Sequence, residues 1–215
     1  EQLAAINLVT PMQNIITNFG SGITVAGAVL IAQYIGAGEK EDARSMANQI
    51  FACAMGFAVV CATLCFLGTP AILSCLGADG GTAYYARVYL RVVIWDMPFL
   101  YMVNIFSAVH QAQGDTVRPM FLNLGGITLN LFLVPFFMII LNLGTAGAAL
   151  ATLLAKAIPA IVAFGLLCRQ ENDICLNRKY MRLQKEKLGM ILKIGLPTAI
   201  GGSTMQLGFL LMSKN

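Results

Sequence analysis

Long runs of hydrophobic residues, separated by short polar segments, are the main feature of this sequence. A membrane-spanning helix needs about 20 mostly apolar residues. Six runs reach that length, and they cover residues 3–35, 46–76, 83–112, 119–141, 146–168 and 188–212. The pattern therefore predicts an all-α protein, a polytopic bundle of transmembrane helices joined by short loops.

The composition agrees with a membrane protein and excludes a soluble domain. Of the 215 residues, 58% are hydrophobic and only 11% are charged, whereas soluble domains carry about 25% charged residues. The charges cluster at residues 38–44, 113–118 and 169–187. Placing these segments inside the cell puts most Lys and Arg residues on the cytoplasmic side, as the positive-inside rule requires. The net charge of +4 is thus a topology signal, and we predict no nucleic-acid partner.

The sequence offers no motif for enzyme or metal chemistry. Its six cysteines include no C-x-x-C pair, and His110 is the one histidine, so we predict no metal site and no cofactor. The motifs HExxH, GxSxG and GxxxxGK, which mark metalloproteases, serine hydrolases and phosphate-binding loops, do not occur. We therefore predict that the protein is not an enzyme.

Two charged residues, Asp96 and Lys156, lie inside hydrophobic runs. At about 1.5 Å per helical residue, Asp96 is roughly 20 Å along the third run and Lys156 roughly 15 Å along the fifth, so their depths are similar. An ionised side chain at the bilayer centre costs roughly 2.5–3.5 kcal/mol unless it has a partner or water. Either Asp96 binds a proton or a cation that crosses the membrane, or it is structural, as an ion pair with Lys156 or as a cap for the backbone freed by Pro98.

Polar residues also line one face of three predicted helices, and the spacing places each set on one side of its helix. The sets are Gln13, Thr17, Ser21 and Thr24 in the first run, Asp96, Asn104, Ser107 and Gln111 in the third, and Asn123 and Asn130 in the fourth. Three inward polar faces predict an aqueous cavity. The alternative is that these side chains only hydrogen-bond between helices.

Four segments of the chain resemble the multidrug and toxic compound extrusion (MATE) transporters in order and spacing. They are VAGAVLIAQYIGAGEKEDAR (25–44), HQAQGDTVRPM (110–120), NLGTAGAALATLLAK (142–156) and ILKIGLP (191–197). The resemblance covers essentially the whole chain and implies helices two to seven of a twelve-helix, two-lobe secondary transporter. The sequence also begins with Glu1 rather than Met, so we expect a piece of a longer protein.

The resemblance implies a division into three parts. Residues 1–168 would be five helices of the N-terminal bundle, 169–187 a cytoplasmic linker, and 188–215 the first helix of the C-terminal bundle. We expect that last helix, separated from the rest of its bundle, to be poorly placed or to pack in a non-native way. We also expect a monomeric, multi-pass protein of the plasma membrane, in a bacterial inner membrane, in contact with membrane lipid.

The resemblance further implies export of organic cations or drugs in exchange for H⁺ or Na⁺. The family's coupling site uses an Asp in the first helix and an Asn-x-x-x-Asp pair in the fifth; here that pair aligns with NLFLV, which gives Asn130 but Val134. Val cannot bind a cation, so we expect Asp96 to supply the ion site, with Lys156 as its counter-ion. The substrate- and ion-binding candidates are Asp96, Lys156, Asn130, Asn104, Gln13, Thr17 and Asn123.

Two other functions are compatible with this topology. A flippase for lipid-linked sugars or polysaccharides, from the same superfamily, would need a more cationic cavity, and Lys156 is the one residue here that fits. A membrane scaffold without transport activity would leave the polar helix faces unused.

Overall fold

The computed structural model describes residues 2–75, 94–141, 144–169 and 184–213. These residues form six helices and no strand, which confirms the predicted all-α fold. The helices are α1 (Gln2–Gly36), α2 (Lys40–Cys75), α3 (Met97–Ala112), α4 (Val117–Pro135, continued by a π-helical turn at Phe136–Ile140), α5 (Gly144–Cys168) and α6 (Lys185–Ser213). Most of the predicted linker, residues 170–183, lies outside the described residues, and the division into two bundles stays a prediction.

Four segments in the described part are long and apolar enough to cross a bilayer: Thr17–Gly36, Lys40–Gly68, Val117–Ile140 and Ala146–Cys168. They fall in the first, second, fourth and fifth predicted runs. In the third run the described helix α3 has 16 residues, fewer than a full crossing needs, and residues 83–93 of that run lie outside the description. The fold is therefore that of a multi-pass helical membrane protein.

The helix of the third hydrophobic run is interrupted at Trp95 and Asp96, directly after the helical Ile94. Trp95 and Asp96 form a turn, and α3 starts at Met97 with Pro98 in its first turn. Because proline has no N–H, the carbonyl four residues earlier loses its helical donor, and the first helical bond of α3 runs from the Leu100 N–H to the Asp96 carbonyl at 3.0 Å. The Asp96 side chain makes no capping hydrogen bond, so the proposed capping role is wrong.

The buried core lies between α1, α2, α3, α5 and α6. It contains fully buried side chains from each of these helices, among them Ile31, Ile50, Phe106, Leu167 and Ile191. Helix α4 differs, because Pro119 is its one buried residue among those described. Many of its apolar side chains are more than half exposed, and Leu131 and Phe132 are about two-thirds exposed. These side chains face away from the described bundle, and the other side of α4 contacts α3 and α5.

Helix α6 packs along α1 at a glycine crossing. A Cβ on Gly22 would lie 2.5 Å from the Gly195 carbonyl oxygen, so the two backbones are in direct contact there. One helical turn further along, the Asn18 side-chain amide donates to the Gly202 carbonyl at 3.4 Å. Small residues allow this close approach between membrane helices. The structure gives α6 a defined position, contrary to the expectation of a poorly placed helix.

Candidate ion and substrate site

A buried ion pair joins α5 to the start of α3. The Lys156 ammonium donates to Asp96 Oδ2. The Asp96 side chain is 2% exposed and that of Lys156 is 30% exposed, so the carboxylate is the fully enclosed partner. Asp96 Oδ1 has no hydrogen-bond partner among the described residues. The structure thus contains the predicted pair, and one carboxylate oxygen is still able to accept a proton or contact a cation.

Local sequence explains why these two groups meet. Pro98 ends the helical bonding before α3, which places Asp96 at the helix start instead of within a continuous helix. On α5, Lys156 follows Ala148 and Thr152 at four-residue intervals, and residues four apart share one helix face. The small residues of that face let α3 and α4 approach α5 closely, and Lys156 extends into this contact.

A cavity of about 350 Å³ lies beside the ion pair, between α3, α4 and α5. Its polar lining residues are Asn104, Asn123, Asn130, Thr152 and Lys156, and its apolar lining is Leu100, Val103, Leu122, Gly126, Ile127, Ala155 and Pro159. The volume is within the range of small-molecule sites. Four of the candidates predicted from sequence therefore share one cavity. Asp96 does not line it and contacts Lys156 from behind the cavity wall.

The cavity asparagines are oriented by their neighbours. The Asn130 amide donates to Thr152 Oγ1 at 3.5 Å, and Thr152 donates in turn to the Ala148 carbonyl at 2.9 Å. The Asn123 amide donates to the Pro119 carbonyl at 2.9 Å and approaches Ser107 Oγ at 3.5 Å. These contacts use amide N–H groups. The side-chain carbonyl oxygens are the part of each asparagine that remains suited to contact a cation.

A second cavity, of about 330 Å³, lies towards the end of the bundle predicted to be cytoplasmic. It brings together the polar faces of three helices, with Ser21 and Thr24 from α1, Asn104, Ser107 and Gln111 from α3, and Asn123 from α4. Asn104 and Asn123 line both cavities. The polar faces predicted from sequence therefore do meet, and two asparagines lie between this second cavity and the one beside the ion pair.

The other sequence candidates lie elsewhere. Thr17 is half-buried on α1 and lines neither cavity. The Gln13 side chain lies outside the described residues. Sequence reasoning missed Thr152 as a site residue, although its position four residues before Lys156 was a signal, because residues four apart on a helix are neighbours. It also missed Gly126, where a Cβ would lie 3.2 Å from Pro159 Cγ and 3.3 Å from the Ala155 carbonyl oxygen.

The charge facing the first cavity is positive. Lys156 is the one charged side chain among its described lining residues, since the Asp96 carboxylate lies behind it. No cluster of three or more His, Cys, Asp or Glu residues suited to a metal ion occurs in the described part. A ligand in the cavity would therefore contact an ammonium, three amides, one hydroxyl and apolar side chains.

Comparison with known proteins identifies the fold and the family. The MatE family model matches residues 1–136. Among curated proteins, the chain is 23% identical over 207 residues to the probable multidrug resistance protein YoeA of Bacillus subtilis, which covers 93% of this chain and 45% of YoeA. It is 25% identical over 195 residues to the multidrug export protein MepA of Staphylococcus haemolyticus, covering 91% of this chain and 43% of MepA.

Solved structures give the same result. A MATE crystal structure in complex with MaL6 superposes with a TM-score of 0.94 at 25% identity, covering 99% of this chain and 47% of that one. A MOP superfamily transporter from Pyrococcus furiosus, described as having a binding pocket of reversed polarity, superposes with a TM-score of 0.90 at 26% identity over 97% of this chain and 46% of that one. The chain spans about half the length of the relatives that it matches. It belongs to the MatE family.

Proposed function

We propose that this chain is part of a secondary multidrug exporter that moves organic cations out of the cell in exchange for H⁺ or Na⁺. The observation that carries the proposal is the buried Asp96–Lys156 pair at the wall of a cavity of small-molecule size. The curated relatives named for multidrug export support the same function. We expect the full-length protein to act as a monomer, with alternating access between two lobes.

The ion pair provides a mechanism for exchange. When a proton or Na⁺ binds at Asp96, it competes with Lys156 for the carboxylate and leaves the ammonium without its counter-charge. The free ammonium then repels an organic cation in the adjacent cavity. At a separation of about 6 Å and an effective dielectric constant of about 20, two like charges repel by about 3 kcal/mol. That energy corresponds to roughly a hundredfold loss of affinity, and by linkage the substrate weakens ion binding equally.

The other cavity residues have supporting roles in this proposal. Asn130 and Asn104 present amide oxygens that contact a cation or receive the ammonium of Lys156 after it leaves Asp96. Val134, at the position where the family pattern has an acid, cannot replace Asp96 in this exchange. The coupling would therefore depend on Asp96 within this part of the protein.

Efflux measurements on the full-length protein test the proposal. Cells expressing wild type or Asp96→Asn are loaded with a fluorescent organic cation, and efflux is followed across a pH and sodium series. We expect loss of ion-dependent efflux in Asp96→Asn at normal membrane expression. Glu41→Gln removes an exposed carboxylate at the start of α2 and is the matched control. Ion-dependent efflux that persists unchanged in Asp96→Asn would refute the coupling role.

A flippase of anionic headgroups is the second candidate, and one specific observation favours it. Among described lining residues, Lys156 alone gives the cavity a charge, and that charge is positive. An anionic ligand would bind Lys156 directly. In that case Lys156→Met would abolish binding of an anionic headgroup analogue to the purified full-length protein, whereas Asp96→Asn, which leaves the ammonium without a competitor, would strengthen it.

A further inference from the structure

An ion pair also joins the start of α6 to the corner between α1 and α2. The Lys187 ammonium lies 2.9 Å from Asp42 Oδ1, and the Lys187 side chain is 11% exposed while that of Asp42 is 52% exposed. The same ammonium lies 5.9 Å from the ring centroid of Tyr34, within the range of a cation–π contact. Lys187 thus contacts Asp42 near the start of α2 and Tyr34 near the end of α1.

The backbone before α6 is held at the same corner. The Gln184 N–H donates to Gln49 Oε1 at 3.2 Å, and Gln49 is fully buried on α2. Four residues after Lys187, Ile191 is 1% exposed and belongs to the main core. The start of α6 therefore contacts α1 and α2 through an ion pair, a hydrogen bond and an apolar side chain, on the side of the bundle predicted to be cytoplasmic.

The Gly22–Gly195 crossing provides a fixed point for movement of this segment. The backbones touch there, with a Cβ on Gly195 lying 3.1 Å from the Gly22 carbonyl oxygen. Lys187 is eight residues from Gly195, a lever of roughly 12 Å. A tilt of roughly 15° about the crossing moves the Lys187 end of α6 by roughly 3 Å, which takes the ammonium out of hydrogen-bond range of Asp42.

The exposure of Asp42 indicates that the ion pair is easily broken. An ion pair with one partner half in water is weak, because water replaces the lost contact and ions screen it. Lys187 is able to follow a moving helix or to extend towards solvent through its flexible stem. An ion pair with one exposed partner suits a contact that forms and breaks repeatedly. For a permanent contact between helices, we would expect both partners to be buried.

We propose that Asp42 and Lys187 form a cytoplasmic latch, which holds α6 against the α1–α2 corner in this conformation and opens as α6 tilts about the Gly22–Gly195 crossing during transport. The proposal rests on the transport function proposed above. It predicts that the latch has to break once in each cycle.

Reversible cross-linking tests this requirement. Asp42→Cys and Lys187→Cys are combined in full-length protein whose native cysteines are replaced, and a reducible bis-thiosulfonate reagent joins the new pair. We expect efflux to fall at least tenfold and to return on reduction. The matched control joins Asp115→Cys to Arg118→Cys, a pair three residues apart in which Asp115 is partly buried and Arg118 exposed and which does not involve α6, and keeps its efflux. Undiminished efflux from the cross-linked latch would overturn the proposal.

A thiol-labelling measurement tests the latch independently of transport activity. Ile191→Cys is introduced into full-length protein whose native cysteines are replaced, and the reaction of the purified protein with a membrane-impermeant thiol reagent is timed. We expect Asp42→Lys or Lys187→Asp to raise the labelling rate several-fold, and the double charge swap to return it to the wild-type rate. Equal rates in all four proteins would overturn the latch. Absence of efflux from wild type would instead count against the proposed function, and the labelling rates would still decide about the latch.

Discussion

Replacing either member of the Asp96–Lys156 pair should destabilise the protein. The loss of stability should be larger for one replacement than for the other. Lys156→Met leaves Asp96 enclosed, with its side chain 2% exposed and neither oxygen hydrogen-bonded, because Oδ1 already lacks a partner in the described part. An unpaired charge at the centre of a membrane helix costs about 2.5–3.5 kcal/mol. Breaking a buried pair from one side costs about 3–5 kcal/mol in soluble proteins, which agrees with that range.

Asp96→Asn should cost less. The remaining ammonium of Lys156 is 30% exposed and lines a cavity with three asparagine side chains, so it keeps polar contacts and access to water. We expect a loss of about 1 kcal/mol, the value of one ordinary hydrogen bond. The double variant Asp96→Asn/Lys156→Met buries no charge, and replacing both partners of a buried pair is often neutral. The expected order of stability is wild type and double variant, then Asp96→Asn, then Lys156→Met.

Thermal unfolding of the full-length protein in detergent, followed by fluorescence-detected gel filtration at fixed pH and salt, measures this order. Ligand-free samples are needed, because a bound ligand raises the apparent stability. If Lys156→Met were as stable as wild type and Asp96→Asn the least stable, the carboxylate would not be the enclosed partner. A double variant whose loss of stability equalled the sum of the two single losses would show that the two side chains do not depend on each other.

Two further variants test the packing of α1 against α3 and the hydrogen bond between α4 and α5 at the cavity. Gly20→Ala should destabilise by about 1–3 kcal/mol, because its Cβ would lie 1.9 Å from Cε1 of the fully buried Tyr101; Gly56→Ala, with open space around it, is the control in the same unfolding assay. Thr152→Val should change stability by less than about 1 kcal/mol but alter the ion dependence of efflux, since Asn130 loses its contact, whereas Thr152→Ser should preserve that dependence.

The pairing of Asp96 with Lys156 could be predicted because depth in a membrane helix follows from counting residues. Two opposite charges that are buried at similar depth have few other partners available, so they are expected to pair. Counting residues gives the depth of a side chain in the membrane. It does not give the direction in which that side chain points within the bundle. The sequence therefore did not indicate that Lys156 would line the cavity while Asp96 would lie behind it, and this asymmetry decides which charge a ligand contacts.

The position of α6 shows a second limit of sequence reasoning. Gly195 and Gly202 are visible in the sequence as small residues within a helix. A small residue does not, however, show which other helix it packs against. Gly22 and Asn18, more than 170 residues earlier, complete the contact. Likewise, the charge cluster at residues 38–44 predicts a cytoplasmic loop, and only the three-dimensional arrangement pairs Asp42 with Lys187.

The arrangement of the ion pair gives the two candidate functions opposite responses to the coupling ion. When a proton or Na⁺ neutralises Asp96, the ammonium of Lys156 becomes a free positive charge facing the cavity. A cationic ligand is then repelled, so ion and ligand compete, as exchange transport requires. An anionic ligand is instead attracted, so ion and ligand bind together.

Binding of one cationic and one anionic probe to the purified full-length protein, measured with and without Na⁺ and at two pH values, gives the sign of this coupling. Competition with the cationic probe that disappears in Asp96→Asn supports the exporter, and cooperation with the anionic probe that disappears in Lys156→Met supports the flippase. If neither probe responded to either ion, the pair would be a structural tie, and the coupling would have to be sought elsewhere in the full-length protein.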